Sequence, residues 1–185
     1  MQGIEPFLQL LRIHQITPYL KSNSILVDLG CDVEMTLIKK LAPRMHQVIG
    51  LDLVVKNSRQ KNIQIIKTDI TQKLPLATQS ADFVTMLAVL EHLHNPLSVL
   101  READRILKIN GTLLVTVPAP QVKWLLEKVI APLGLVRSEM VRQHKNYFRP
   151  SELIELATKA GFGDISVTKF ELGFNTLLYA RKLKK

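Results

Sequence analysis

The chain has 185 residues, 46% of them hydrophobic, and this size and composition predict one folded domain, residues 1–185. No apolar run approaches the roughly 18 residues of a membrane span, and the first residues carry no secretion signal, so we expect a cytoplasmic protein. The single cysteine, Cys31, excludes an internal disulfide and fits a reducing compartment. The net charge of +9 keeps a nucleic-acid partner open, but the basic residues are scattered and aromatic residues are few, which disfavours one.

Aliphatic runs alternate with helical patterns along most of the chain. Helical spacing predicts an amphipathic helix within residues 1–22, and the last two apolar runs predict an antiparallel hairpin. This alternation predicts an α/β fold: a three-layer Rossmann-like sandwich with a mostly parallel seven-stranded sheet and a C-terminal antiparallel hairpin. The connection after the second strand is short, so we expect a loop or a single turn there. The predicted strands are residues 25–29, 47–52, 63–69, 82–87, 112–117, 165–171 and 175–182, and the predicted inner helices are residues 34–41 and 96–107.

The first predicted strand ends in an acid and a glycine, Asp28 and Gly30, before a helical pattern begins. A buried strand that enters a tight turn in this way is typical of the ligand-binding edge of an α/β sheet. Two further acids, Asp32 and Glu34, follow in the turn, where carboxylates would repel a pyrophosphate. The pattern therefore disfavours NAD and FAD. Asp32 could also cap the following helix, and the two roles are compatible.

Acids also end the next two predicted strands. Asp52 ends the second strand, at about the spacing from Gly30 at which an acid meets a ribose diol, and Asp69 ends the third. A carboxylate can accept hydrogen bonds from two hydroxyls at once, which explains an acid at the tip of the second strand. Because parallel strands end at one edge of the sheet, we expect Asp28, Asp52 and Asp69 to lie along that edge.

A longer motif begins at Leu74-Pro75-Leu76, before the fourth predicted strand, and runs on through residues 80–89. It continues through Leu90-Glu91-His92-Leu93, Pro96, residues 99–108 and Gly111, and further parts lie at residues 144–153 and 160–162. With the first strand and its turn, this motif resembles class I S-adenosylmethionine-dependent methyltransferases, specifically the small methyltransferase-domain family with a Leu-Glu-His-Leu motif. The resemblance covers most of the chain from residue 25 onward. Its first motif is degenerate, because Asp32 and Glu34 stand where the family usually has glycine.

The resemblance implies S-adenosylmethionine as the cofactor. Its sulfonium and ammonium charges make nearby acids tolerable or helpful, unlike a pyrophosphate. The family pattern puts Asp28 near the methionine ammonium, Asp52 at the ribose diol and Asp69 at the adenine amino group. No Cys/His cluster has zinc spacing, so we expect no metal. The implied cofactor-binding residues are Asp28, Leu29, Gly30, Cys31, Asp32, Asp52, Leu53, Thr68, Asp69, Ile70, Leu87 and Ala88.

Catalysis by methyl transfer needs a general base only if the acceptor must lose a proton. The candidates for that role are His92, His144 and Tyr147, with Glu91 and His94 as further titratable groups nearby. For Glu91 and His92 the alternative is structural, since they could anchor the loop after the fourth strand.

Residues 119–149 separate the fifth strand from the penultimate helix and carry Trp124 among many aliphatic residues. Such a segment is too apolar for a solvated loop. It could form a lid over an apolar or amphipathic acceptor, cover the sheet edge, or form a homodimer contact.

Together these observations favour a methyltransferase that acts on a small molecule or on a saccharide- or lipid-linked acceptor. Two alternatives stay open. The net charge would suit an RNA methyltransferase, although no appended RNA-binding module or Asn-Pro-Pro-Tyr motif is present. The degenerate first motif would suit a non-catalytic scaffold that has lost cofactor binding.

Overall fold

The computed structural model describes residues 5–120 and 146–184. These residues form four α-helices and eight strands. The helices are α1 (Glu5–Ile16), α2 (Thr36–Leu41), α3 (Pro96–Ile106) and α4 (Pro150–Ala160), and the strands are β1 (Ile25–Leu29), β2 (Gln47–Asp52), β3 (Ser58–Gln60), β4 (Ile63–Lys67), β5 (Ala81–Leu87), β6 (Leu107–Pro118), β7 (Phe162–Phe170) and β8 (Asn175–Lys182). The strands β2 to β5 follow one another with no described helix between them. Short 3-10 turns lie at Thr17–Tyr19, Ala42–Arg44, Leu90–His92 and Glu171–Gly173.

All eight strands belong to one sheet, in the order β3-β4-β2-β1-β5-β6-β8-β7. The five inner strands β4, β2, β1, β5 and β6 are parallel, whereas β8 pairs antiparallel with both β6 and β7. The α/β class and the C-terminal antiparallel hairpin are confirmed. The sheet has one strand more than the seven that the sequence predicts.

The additional strand is β3, which forms in the short connection that we expected to be a loop or a single turn. It pairs antiparallel with β4 across a tight turn in which Lys61 has φ 51°. Asn62 anchors that turn, because its side-chain amide donates to the carbonyls of Ala42 (2.7 Å) and Met45 (2.9 Å). All three residues of β3 are exposed, so no hydrophobic pattern marks the strand in the sequence.

Two buried clusters cover the two faces of the sheet and make three layers. One cluster packs α3 and α4 against β1, β5, β6 and β8, and Leu100 and Leu153 are buried in it. The other packs α1 and α2 on the opposite face and includes Ile13 and Ile38. Side chains that alternate along β1 divide between the clusters, Val27 to the first and Leu26 to the second. Because both faces are covered, the inner strands are apolar along most of their length.

The strand order puts β1 at the point where the crossovers change direction. β1 pairs with β2 on one side, where Leu29 lies opposite Leu51, and with β5 on the other, where Asp28 lies opposite Thr85. β2 pairs in turn with β4, with Asp52 opposite Lys67. Ligands of open α/β sheets bind beyond the carboxyl ends of the strands at such a switch point. The carboxyl edge of β1, β2, β4 and β5 is therefore the place to look for a site.

Gly50 in β2 is required by the close packing of α2. A β-carbon at this position would collide with Cδ1 of Ile38 and would lie 2.8 Å from Sγ of Cys31. Both neighbours are buried, so neither can move aside without disturbing the core beneath α2.

We expect Gly50→Ala to lower the free energy of unfolding by about 1–3 kcal/mol, because the added methyl group overpacks this contact. Urea unfolding followed by circular dichroism measures the change. The matched control is Gly163→Ala, where the three atoms nearest to the new methyl group all belong to the side chain of Leu183, which is 45% exposed and can rotate away. Equal losses in the two variants would contradict the packing argument.

Candidate functional site

The turn after β1 depends on Gly30. Its φ is 81°, and its amide donates to the carbonyl of Leu51 (2.8 Å), which ties the turn to the end of β2. A β-carbon on Gly30 would lie 2.5 Å from Cγ2 of Val89, in the loop that follows β5. Only glycine therefore satisfies both the backbone conformation and the close approach of the two loops.

Asp32 occupies a glycine position of the family motif and keeps a glycine-like backbone, with φ 55°. Aspartate is one of the few residues other than glycine that adopt this left-handed conformation readily. Its carboxylate accepts from the amide of Val33 (2.6 Å). The idea that Asp32 caps α2 is wrong, since the residue at the N-cap is Met35, and no side chain bonds the cap there.

Asp52 connects the loops that follow β1 and β2. Its Oδ2 accepts from the amide of Asp32 (3.0 Å) and its Oδ1 accepts from the amide of Val54 (3.2 Å). Each carboxylate oxygen has two lone pairs, so both retain capacity for further donors such as hydroxyls. The side chains of Val33 and Leu53, each 56% exposed, leave apolar surface on the two loops that Asp52 joins.

Asp28 is the most perturbed acid of this edge. It is 4% exposed, and its Oδ1 accepts from the hydroxyl of Thr85 (2.7 Å) on β5. Burial raises the pKa of Asp28 to about 7, opposed by the Thr85 hydrogen bond and assisted by the nearby charge of Asp52. Asp28 therefore changes charge near neutral pH.

Cys31 lies in the same turn, buried beside Gly50. Burial, with the neighbouring charges of Asp28 and Asp52, raises the pKa of the Cys31 thiol to about 12. A thiol in this state is a packing group rather than a nucleophile.

Asp69 follows the end of β4 and is held in a local turn. Its Oδ1 accepts from both the amide (2.9 Å) and the hydroxyl (2.7 Å) of Thr71. These hydrogen bonds, with that of the Thr71 hydroxyl the largest cause, lower the pKa of Asp69, so its carboxylate is charged at neutral pH. The preceding residue, Thr68, donates its amide to the carbonyl of Asp52 (3.0 Å), and Ile70 packs against the buried core. The structure thus brings Asp69 to the same edge as Asp52.

The chain leaves β5 through a constrained backbone. Leu87 ends the strand, and Ala88 has φ 56° while its amide donates to the carbonyl of Thr116 (2.9 Å) on β6. For a residue with a β-carbon, this conformation costs on the order of 1–3 kcal/mol and is typical of functional sites. His92 lies in the 3-10 turn that follows and is half-buried.

Asn146 joins the start of the last described segment to the loop after β5, a link that no spacing in the sequence indicates. Its amide donates to the carbonyl of Glu91 (3.0 Å), and its side-chain amide donates to the carbonyl of Leu93 (2.9 Å). The next residue, Tyr147, is half-buried and borders a cleft beside α4. His144 and Trp124 lie outside the described residues.

The edge has a charge pattern that suits a cationic ligand. Asp28, Asp32, Asp52 and Asp69 gather at the ends of three neighbouring strands, and no ion pair to any of them is found in residues 5–120 and 146–184. No group of three His, Cys, Asp or Glu side chains that could hold a metal ion occurs in those residues. None of the described helices is long and apolar enough to cross a membrane. This set of carboxylate acceptors fits a ligand that carries both hydroxyl donors and positive charge, such as S-adenosylmethionine.

Because Asp28 ionises near pH 4 in the unfolded chain and near pH 7 in the folded one, its burial destabilises the fold as the pH rises between those values. We expect Asp28→Asn, which keeps an acceptor for Thr85, to be more stable than the wild type at pH 8 by about 2–4 kcal/mol and equally stable near pH 4. Denaturant unfolding of both proteins from pH 4 to pH 8 measures the difference. The control Asp164→Asn removes an exposed carboxylate on β7 and should show no such trend. A wild type as stable as Asp28→Asn at pH 8 would contradict the buried, ionising carboxyl.

Comparison with known proteins agrees with this geometry. Residues 6–167 match the family model described as a methyltransferase domain. A ubiquinone biosynthesis O-methyltransferase from Idiomarina loihiensis is 30% identical over 155 residues, which cover 76% of this chain and 62% of that enzyme. This chain therefore spans less than two thirds of that relative's length.

Solved structures share the fold. An S-adenosylmethionine-dependent methyltransferase from Thermotoga maritima matches with a TM-score of 0.73 at 20% identity, over 97% of this chain and 91% of that one. Phosphoethanolamine N-methyltransferase 2 from Haemonchus contortus, solved with phosphomonomethylethanolamine and S-adenosylhomocysteine, matches with a TM-score of 0.69 at 17% identity, over 95% and 53% of the two chains. The chain belongs to the class I S-adenosylmethionine-dependent methyltransferases, and S-adenosylmethionine is the cofactor of that family.

Proposed function

We propose that this protein transfers the methyl group of S-adenosylmethionine to a small-molecule acceptor, free or linked to a saccharide or lipid. The observation that carries the proposal is the row of carboxylates at the ends of β1, β2 and β4, joined by the hydrogen bonds of Asp52. The ubiquinone-biosynthesis relative supports a small acceptor.

In this proposal each acid binds a different part of the cofactor. Asp52 accepts the ribose hydroxyls with the lone pairs that its two backbone hydrogen bonds leave over. Asp28 and Asp32 lie near the ammonium, and Asp69 accepts from the adenine amino group. Leu53 and Ile70 offer apolar surface beside the adenosine part, and Leu29, Gly30, Cys31 and Thr68 contribute backbone to the same cradle.

When bound, S-adenosylmethionine supplies a methyl group on a positively charged sulfur, which a nucleophile can attack in line. The task of this chain's residues is then to orient the acceptor and keep water out. Leu87 and Ala88 provide an apolar wall at the end of β5, and the left-handed backbone of Ala88 fixes the direction of the following loop. His92, Tyr147 and His144 are the candidates to take a proton if the acceptor is a hydroxyl.

The alternatives have less support. A scaffold without cofactor binding would follow if Asp32 distorted the first motif, yet Asp32 keeps the left-handed backbone that glycine favours. The basic residues are distributed over the whole chain rather than along one stripe, which disfavours RNA as the acceptor. The single buried cysteine supports a reducing, cytoplasmic location. The roles of residues 119–149 as a lid, an edge cover or a homodimer contact stay predictions.

We expect S-adenosylhomocysteine to bind, and Asp52→Ala to weaken that binding by about 1.5–3 kcal/mol, because the diol loses its charged acceptor. Isothermal titration calorimetry measures both affinities. Asp164→Ala, which removes an exposed carboxylate from β7 at the far edge of the sheet, is the matched control and should bind like the wild type. If Asp52→Ala binds as tightly as this control, the diol is not at Asp52.

A second experiment separates the conformation of Asp32 from its charge. We expect Asp32→Ala to lose about 1–2 kcal/mol of stability relative to Asp32→Gly, since only alanine has a β-carbon that strains the left-handed backbone. Both variants lose the carboxylate, so both should bind S-adenosylhomocysteine more weakly by the same factor. Thermal unfolding and calorimetry on the two proteins provide the comparison. Unchanged affinity in both variants would remove Asp32 from the proposed ammonium site.

A further inference from the structure

A second cleft opens where the first turn of α4 meets the ends of β6 and β8. It has a volume of about 510 Å³ and is separate from the carboxylate edge. We call it the basic cleft, and its described lining residues are Pro120, Arg149, Pro150, Ser151, Lys169 and Thr176. Nothing in the proposed cofactor site uses any of these side chains.

Thr176 gives the cleft a buried polar group with no hydrogen-bond partner among residues 5–120 and 146–184. The residue is 0% exposed, and its hydroxyl makes no hydrogen bond within the described residues. It belongs to β8 and lies opposite Lys169 of β7 in the antiparallel register. A buried hydroxyl without a partner is unfavourable, and such groups are normally satisfied by protein or solvent. An oxygen-bearing ligand in the cleft would give this hydroxyl the partner that it lacks among the described residues.

The other groups of the basic cleft are donors and cations. Arg149 and Lys169 are exposed, and neither forms an ion pair within the described residues. Ser151 is the second residue of the 11-residue helix α4, so its amide has no partner within the helix. No acid is among the described lining residues. The nearest acid along α4, Glu152, accepts from the backbone amide of Arg149 (2.6 Å).

These groups match one tetrahedral anion. Two cations, a helix N-terminus and two hydroxyls can together donate to three phosphoryl oxygens. A carboxylate would leave part of this donor set unused. A nucleic-acid strand would need a row of such sites along its phosphates.

The basic cleft also lies near the end of β5, where the reacting atom of the methyl acceptor is proposed to bind. In the sheet, β6 lies between β5 and β8, on the side of β5 away from β1. Because neighbouring strands are about 4.8 Å apart, Thr176 on β8 lies about 10 Å from the end of β5. The amide of Ala88 at the end of β5 donates to Thr116 of β6, which keeps these strand ends together. One methyl-acceptor molecule could therefore place its reacting atom near Leu87 and Ala88 and another of its groups in the basic cleft.

We propose that the basic cleft binds the phosphoryl group of the methyl acceptor, so that the substrate is a small phosphate ester. The role in substrate binding rests on the proposed methyl transfer. The anion site itself does not, because its groups are independent of the carboxylate edge.

Phosphate binding to the full chain tests the site directly. Inorganic phosphate is titrated at constant ionic strength, against chloride, while the amide resonance of Ser151 is followed in a nitrogen–proton correlation spectrum. Phenyl phosphate and benzoate are titrated in the same way. We expect both phosphates to shift the Ser151 resonance with a saturable curve, and benzoate to bind at least about tenfold more weakly.

Three variants assign the donors. Arg149→Gln and Lys169→Gln should each weaken phosphate binding by about tenfold or more, and Thr176→Val, which keeps the side-chain shape, should weaken it without lowering the unfolding temperature. Lys39→Gln removes an exposed cation from α2 on the opposite face and should bind phosphate like the wild type. All four proteins should bind S-adenosylhomocysteine equally.

The outcomes separate the two proposals. If S-adenosylhomocysteine binds but phosphate does not shift Ser151, or if Lys39→Gln weakens phosphate as much as Arg149→Gln, the phosphoryl site is wrong. If a single-stranded oligonucleotide shifts Ser151 more strongly than phenyl phosphate does, the site belongs to nucleic acid and the small-acceptor proposal fails. If phosphate binds as expected and S-adenosylhomocysteine does not bind, the anion site stands and the proposed methyl transfer fails.

Discussion

The carboxylate of Asp52 is the constraint on which the proposed site depends. It ends β2, and its two oxygens accept from the amides of Asp32 and Val54, so that one side chain fixes the loops after β1 and β2 together. The amide of Gly30 strengthens the same link by donating to Leu51. A loop built on few buried contacts would otherwise be mobile. Here hydrogen bonds fix the backbone that would surround a nucleoside before the ligand binds. Each oxygen of Asp52 still has a lone pair available for a ligand hydroxyl.

The same edge concentrates negative charge. Asp28 is buried beside Asp52, and its pKa is raised to about 7, so that the carboxyl is protonated in the folded protein below that pH. Acids that repel one another destabilise the unliganded protein, and a cationic ligand offsets that cost when it binds. This explains how a first motif with acids in place of glycines can suit S-adenosylmethionine while it disfavours a dinucleotide. Fold alone does not make this distinction, because one fold serves many chemistries.

The sequence predicts much of this arrangement because its signals are local and strong. The apolar runs of the inner strands and the acids that end β1, β2 and β4 identify the sheet and its functional edge. β3 was not predictable, since its three residues are exposed and pair only because β4 has a free edge. The glycine that the family usually has at position 32 is a sequence signal for a left-handed backbone there, but the charge of Asp32 by itself carries no information on its φ angle. Asn146 acts through carbonyls of a loop more than 50 residues away along the chain, a tertiary contact that no sequence spacing reveals.

The central claim is that the acidic edge binds the ammonium group of the cofactor, and calorimetric titration with S-adenosylhomocysteine at pH 7 tests it most directly. The titration is run in two buffers of different ionisation enthalpy, which reports protons exchanged on binding. An ammonium beside Asp28 lowers the pKa of that carboxyl, so the account predicts binding with net release of protons, a release that is lost in Asp28→Asn. Absence of binding at millimolar ligand, or binding without proton release, would contradict it.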